Sequence, residues 1–258
     1  EQNLIEVSAG LALEGYIVYA YGISPFVTMR AYEPARQSLS ITSQIRKLNV
    51  NIIGIGTGLS YNLSGPSHHC LEDLTIMKLL PNFVIFSPSD WKLAEKFIDY
   101  SIQVKLPKYL RFDGRALPPI YDKTKDLVIK NGFCELKKGK NICLVSTGFM
   151  THRALRVACR LKNIGVIDVF LLKPLNRNLL ARFLENYKCI ITLEEGFINS
   201  GGLDSLISNY ILHSRKKIRF INLGFKNRHV FELGNRDYLH KLNNLDEESI
   251  IEVIKSCQ

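Results

Sequence analysis

The sequence predicts an α/β fold in two units, each a mainly parallel sheet flanked by helices. Three observations carry that prediction. Apolar runs of strand length alternate with amphipathic helical stretches along both halves of the chain. The alternation breaks over residues 113–130, where Pro118-Pro119, glycine-flanked turns and mixed charges read as a linker. A length of 258 residues is enough for two ordinary α/β units, which places the division at 1–122 and 123–258.

Residues 1–14 read as an amphipathic helix, because Leu4, Ile5, Leu11 and Ala12 share one face and Gly15 is placed as a stop. Residues 17–20 make a short strand, followed by a loop with Gly22, Ser24 and Pro25 and a helical stretch over 30–48. The apolar run 50–55 is the next strand and feeds a Gly- and Ser-rich loop. Residues 72–80 read as helix and 83–86 as strand, and after the Ser87-Pro88 turn either Ser89 or Asp90 can cap a helix reaching 103. Residues 108–112 close the first half as a strand. In the second half the strands are 142–145, 166–172, 189–193 and 218–222. The best helix there carries Leu203, Leu206, Ile207, Tyr210 and Ile211 on one stripe.

Charge and cysteine usage bound the function classes. The formal net charge of +10 invites a nucleic-acid reading. The basic residues are nevertheless scattered, and Lys137-Lys138-Gly139-Lys140 and Arg215-Lys216-Lys217 sit just before strands, as turns do. No nucleic-acid motif accompanies them, and the same excess charge suits phosphorylated metabolites. The six cysteines show neither CxxC pairing nor metal-finger spacing, and Cys143 and Cys189 lie in apolar runs. A reduced, cytoplasmic protein with no metal site of its own is the expectation. No apolar run approaches bilayer-spanning length, and no charged-then-apolar leader opens the chain. The chain starts without methionine and already in helical pattern, so an upstream segment is expected to precede it.

The polar residues of the first half follow its strands, at the edge of an open α/β sheet where ligands bind. Gly65-Pro66-Ser67-His68-His69 closes the loop after the 50–55 strand. Two adjacent imidazoles there suit proton transfer near neutral pH, and solvated surface histidines are the bland alternative. Two further clusters belong to the same edge: Glu1-Gln2-Asn3, and the aromatic and basic run from Tyr21 through Phe26 to Arg30.

Together, in this order, these clusters resemble the pyrimidine-binding domain of the thiamine diphosphate-dependent transketolase family. The resemblance continues through Leu110-Arg111 into the second half, where Lys173-Pro174-Leu175, Thr192-Leu193-Glu194-Glu195 and Gly201-Gly202-Leu203 match the family's final domain. It covers essentially the whole chain. It implies that Glu1 holds the cofactor's aminopyrimidine in the tautomer that activates the thiazolium carbon, and that Phe26 stacks on the pyrimidine. Tyr21 and Arg30 become cofactor neighbours, and His68 a substrate-side proton handler. His69, in place of a glutamine common in relatives, has a supporting role beside the substrate. Arg111 matches a position facing substrate phosphate in some relatives.

Each residue also has a plainer reading. Glu1 suits a helix N-terminus, Phe26 a core, Arg30 an exposed helix face, and Arg111 a salt bridge at the sheet edge. Glu194 and Glu195 read as structural or interface groups. Ser64 stands where many transketolases carry an acid, which leaves the donor's hydroxyl pattern open.

No Gly-Asp-Gly with a downstream Asn occurs, so the resemblance assigns the diphosphate and Mg2+ ligands to another domain or subunit. The implied activity is transfer of a two-carbon ketol unit from a ketose, or ketose phosphate, to an aldose, within a homodimer or heterotetramer. The alternatives are a 1-deoxyxylulose-5-phosphate synthase-like condensation of pyruvate with an aldose phosphate, and a non-catalytic scaffold homologue.

Overall fold

The computed structural model describes residues 1–121, 127–214 and 216–257. Its strands, in chain order, are β1 (Val18–Ile23), β2 (Val50–Ile55), β3 (Val84–Phe86), β4 (Lys108–Phe112), β5 (Phe133–Lys137), β6 (Ile142–Ser146), β7 (Ile164–Val169), β8 (Leu171–Lys173), β9 (Cys189–Phe197) and β10 (Arg219–Phe225). They form two five-stranded sheets, ordered β1-β2-β4-β3-β8 and β10-β9-β6-β7-β5. Strands β1 to β4 run parallel, as do β10, β9, β6 and β7. Each sheet ends in one antiparallel strand, β8 against β3 and β5 against β7. The inner strands are largely buried between flanking helices, even where β2, β4 and β9 carry Asn51, Lys108, Arg111, Glu194 and Glu195.

Because β1 to β4 share one direction, Ile23, Ile55, Phe86 and Phe112 end on the same edge of the first sheet. Helix α1 (Gln2–Leu13) buries Ile5, Ala9 and Ala12 in the core. It precedes β1 and brings Glu1 back to the segment that follows β1 at this edge. Cys143 and Cys189 are buried among apolar side chains, as expected of small hydrophobes.

Several elements differ from the sequence reading. Strand β1 runs on through Tyr21 and Gly22, because its pairing with β2 continues at Tyr21–Ile53, Gly22–Gly54 and Ile23–Ile55. The helix expected over 30–48 starts and ends earlier. It is a composite of π turns Phe26–Arg30 and Ala35–Ile41, an α turn α2 (Tyr32–Pro34) and a 3-10 turn Thr42–Gln44. Pro34 has no amide hydrogen to offer the Arg30 carbonyl, which instead accepts from Gln2 Nε2 at 3.4 Å. Helix α3 is Asp73–Leu79. The helix expected up to 103 divides at Phe97 into α4 (Trp91–Lys96) and α5 (Ile98–Gln103), and Asp90 is its cap, accepting from Leu93 N at 2.7 Å.

The apolar run 166–172 is two strands. At its turn, Phe170 N and Leu171 N both donate to the Gly132 carbonyl, at 3.0 and 2.9 Å, and β8 crosses to the first sheet. Helices α6 (Phe149–Arg160), α7 (Arg177–Leu184), α9 (Arg236–Leu242) and α10 (Glu247–Lys255), with strand β5, were not legible as separate elements. The stripe on 203–211 is α8 (Leu203–Leu212). Lys137 ends β5 rather than opening a turn. Arg215 and the middle of the linker, residues 122–126, lie outside the described residues.

Candidate active site

Four of the residues singled out in the sequence form one run of contacts at the carboxyl edge of the first sheet. Arg30 Nη1 lies 2.7 Å from Glu1 Oε2. The same guanidinium sits over the Phe26 ring, 4.9 Å from its centre. The Phe26 ring meets His68 at 5.4 Å, inclined at 71°. His68 in turn faces Tyr61 at 6.5 Å, and its Nδ1 is 3.0 Å from Ser67 Oγ.

The burial of these groups separates a site from a core. Phe26 is half-buried, so it is not the core phenylalanine that the plainer reading allowed. Glu1 flanks α1 without capping it through its side chain. The Arg30 and Glu1 side chains are 57% and 25% exposed. A pair this open contributes about 0–1 kcal/mol to stability. It engages one carboxylate oxygen and leaves Oε1 outside the pair.

The loop carrying His68 is tied down rather than free. Gly58 and Cys70 exchange two backbone hydrogen bonds of 2.9 Å across its neck. Gly56 has φ +83°, and a Cβ there would meet the Tyr61 ring, so the ring packs onto bare backbone. Asn62 Nδ2 donates to the Gly234 carbonyl at 2.6 Å, and Ser60 Oγ to Asp113 Oδ1 at 2.9 Å.

The remaining candidates fall elsewhere. Tyr21 lies on β1 and lines a cleft of about 300 Å³ with Ile55, Trp91, Phe112 and Arg115. It stands outside the run from Glu1 to His68. His69 is 5% exposed, and neither ring nitrogen has a hydrogen-bond partner among the described residues. Burial pushes its pKa below the ordinary histidine value. Arg111 is 4% exposed and donates through Nε to Asp73 Oδ2 at 2.8 Å and through Nη2 to the Glu195 carbonyl at 3.1 Å. The ion-pair reading is therefore what its geometry shows.

Glu194 accepts from Leu203 N and Asp204 N, each at 2.8 Å, at the start of α8. Burial lifts its pKa to about 7. Tyr61, Asp113 and Arg236 were missed. Asp113 could have been found from its place one residue after β4, on the edge where ligands bind. Arg236 carried no comparable signal, because only the fold brings α9 to this loop.

The pyrimidine-binding domain model of transketolase matches residues 1–119, and the transketolase C-terminal domain model matches 134–250. A protein of Methanocaldococcus jannaschii named for the C-terminal section of transketolase is 30% identical over 256 residues, spanning 97% of this chain and 78% of that protein. The chain belongs to the transketolase family. An apulose-4-phosphate transketolase subunit of Actinobacillus succinogenes is 29% identical over 260 residues, covering 99% of this chain and 82% of that one. A 1-deoxy-D-xylulose-5-phosphate synthase of Clostridium tetani is also 29% identical, over 266 residues, but the chain spans 41% of its length. Among solved structures, a split-gene transketolase described as an inactive beta4 tetramer superposes with a TM-score of 0.86 at 29% identity, over 99% of this chain and 81% of that one. The two units are thus those of a transketolase-like carboxyl-terminal half.

The transketolase family depends on thiamine diphosphate, and the side chains here fit one end of it. A carboxylate accepts from a ring N–H, and a half-exposed phenyl face suits a flat heterocycle. Among the described residues, no three His, Cys, Asp or Glu side chains group to hold a metal ion. No helix among them is long and apolar enough to cross a membrane.

Proposed function

We propose that this chain supplies the pyrimidine-side wall of a thiamine diphosphate-dependent transferase, which moves a two-carbon ketol unit from a ketose or ketose phosphate to an aldose. The observation that carries this reading is the continuous contact of Glu1, Arg30, Phe26 and His68 at one sheet edge. The diphosphate and Mg2+ ligands belong to a partner domain or subunit bearing the Gly-Asp-Gly motif, so the working unit is a dimer or heterotetramer. The name and arrangement of the split-gene relative support such an assembly.

Thiamine diphosphate supplies a carbon acid whose conjugate base adds to carbonyls and holds the electron pair of a broken carbon–carbon bond. The residues of this chain bind and orient around it. Glu1, whose Oε2 pairs with Arg30 Nη1 at 2.7 Å, would hold the aminopyrimidine by accepting its ring N–H. Phe26 presents its ring to the heterocycle, with the guanidinium of Arg30 over the ring. The half-buried His68 imidazole stands on the substrate side, where it exchanges a proton with hydroxyl and carbonyl oxygens. His69 supports this loop from within, and Tyr21 lines an adjoining cleft open to the same edge.

The test is reconstitution with a partner carrying the diphosphate-binding motif. Ketose phosphate with aldose acceptor, and pyruvate with aldose phosphate, are supplied in parallel. The proposal expects ketol transfer from the ketose. Release of carbon dioxide from pyruvate would assign the synthase-like alternative. No turnover with either pair, despite complex formation, would favour a scaffold.

A further inference from the structure

A buried ionic cluster in the second unit reaches across to the loop that presents His68. Glu195, at 2% exposure on β9, is its centre. Arg236, from the first turn of α9, donates through Nε to Glu195 Oε1 at 2.7 Å and pairs through Nη2 with Oε2. His240 Nε2 lies 2.6 Å from Glu195 Oε1. Arg153 Nη2 faces His240 Nδ1 at 2.9 Å, and because arginine only donates, the His240 ring proton sits on Nε2, toward Glu195. Burial alone would raise the Glu195 carboxyl, but Arg236 and then His240 outweigh it and hold it well below the usual carboxylate range.

The cluster meets the loop at three places. The Glu195 carboxylate occupies the space that a side chain at Gly58 would fill, and Gly58 has φ +59°. Only glycine allows the loop's neck to lie this close to the carboxylate. Arg236 Nη1 also pairs with Asp113 Oδ2 at 2.5 Å, and Asp113 Oδ1 accepts from Ser60 within the loop. The Gly234 carbonyl, two residues before Arg236, takes the amide of Asn62. The guanidinium itself is clamped over the Phe149 ring at 3.6 Å.

We propose that Glu195 and Arg236 are positioning residues for the His68 loop, so that the second unit sets where the substrate-side imidazole stands. The neck rests on Glu195, and Arg236 carries the restraint through Asp113 to Ser60. Neither residue touches His68. The proposal rests on the substrate-side role read for His68, and the experiment separates the two.

Amide hydrogen exchange over residues 58–70 is measured in the full chain bound to its partner subunit, for the unsubstituted protein, Arg236→Met, Arg236→Lys and the milder Asp113→Asn. Steady-state kinetics and cofactor affinity are measured on the same complexes, with His68→Ala as reference. Arg236→Met and Asp113→Asn are expected to speed exchange in 58–70 at least about tenfold while β1 and β2 stay protected. They should lower kcat/KM for the sugar by about tenfold to a hundredfold, with cofactor affinity unchanged. Arg236→Lys should recover part of both effects. If Arg236→Met does not fold, Asp113→Asn alone decides. Unchanged exchange in 58–70 would overturn the proposal, as would faster exchange with unchanged kcat/KM where His68→Ala lowers it. If His68→Ala itself leaves kcat/KM unchanged, the reading of His68 falls, and faster exchange still upholds the restraint on the loop.

Discussion

His68 meets Phe26 edge to face at 5.4 Å, so the two loops that follow β1 and β2 touch through the residues assigned to substrate and cofactor. If Phe26 is the stacking face proposed for the cofactor, the contact sets how far the imidazole stands from it. Phe26→Ala removes the stacking face and the ring under Arg30. Thiamine diphosphate affinity of the two-subunit complex, followed by calorimetry, should fall about tenfold or more. Phe26→Tyr should retain most of it. Equal affinity in Phe26→Ala would remove Phe26 from the cofactor site.

Adjacent in sequence, His68 and His69 should respond differently. His68→Ala is expected to lower kcat/KM about a hundredfold or more with little loss of stability, because the ring is half-buried and bonded locally. His69→Ala opens a cavity at a residue only 5% exposed, and should chiefly lower the urea midpoint. Kinetics and urea unfolding on both variants check the division. An activity loss in His69→Ala equal to that of His68→Ala, at unchanged stability, would reassign the role.

Arg111 and Asp73 are both buried and 2.8 Å apart, and Asp73 Oδ2 also accepts from Tyr109 Oη at 2.7 Å. Removing one partner strands the other charge. Arg111→Met should therefore destabilise the chain by about 3–5 kcal/mol, measured by urea unfolding. A loss below about 1 kcal/mol would mean that the guanidinium is not needed for the fold.

The raised pKa of Glu194 should make the stability of the fold fall as pH rises. Burial raises its folded pKa to about 7, from the ordinary 4.5. The folded state binds this proton more tightly than the unfolded chain, so the contribution is full below about 4.5 and is lost as pH rises through about 7. Between those values the slope is about 1.4 kcal/mol per pH unit for this group. Denaturant midpoints at pH 5 and pH 8 should show that loss flattened in Glu194→Gln. An identical slope in the variant would exclude Glu194 as its source.

The parallel strands and the meeting of four candidate residues at one edge were legible because both obey local rules. Apolar runs such as Val50–Ile55 mark buried strands, and polar residues just beyond them mark the ligand edge. Glu1, Phe26, Arg30 and His68 met because they all lie at that edge. Tyr21 lies apart from these four because strand pairing with Ile53 holds it in β1, where it lines the adjoining cleft. The composite helix around Pro34 was hidden, since hydrophobic period does not distinguish α from π turns. Strand β8 leaves the second sheet for the first within one apolar run, so no composition change announces it. Arg236 reaches the histidine loop only through tertiary packing, a relation that residue types and spacing do not encode.

The central claim is that Glu1 is the carboxylate that activates the cofactor, and Glu1→Ala tests it most directly. Glu1 makes no side-chain cap to α1, and its ion pair with Arg30 is an open one, so the variant should keep its fold and its partner. In the reconstituted complex with saturating thiamine diphosphate, ketol transfer should fall by about a hundredfold or more, with the urea midpoint unchanged. Turnover equal to that of the unsubstituted complex would contradict the account.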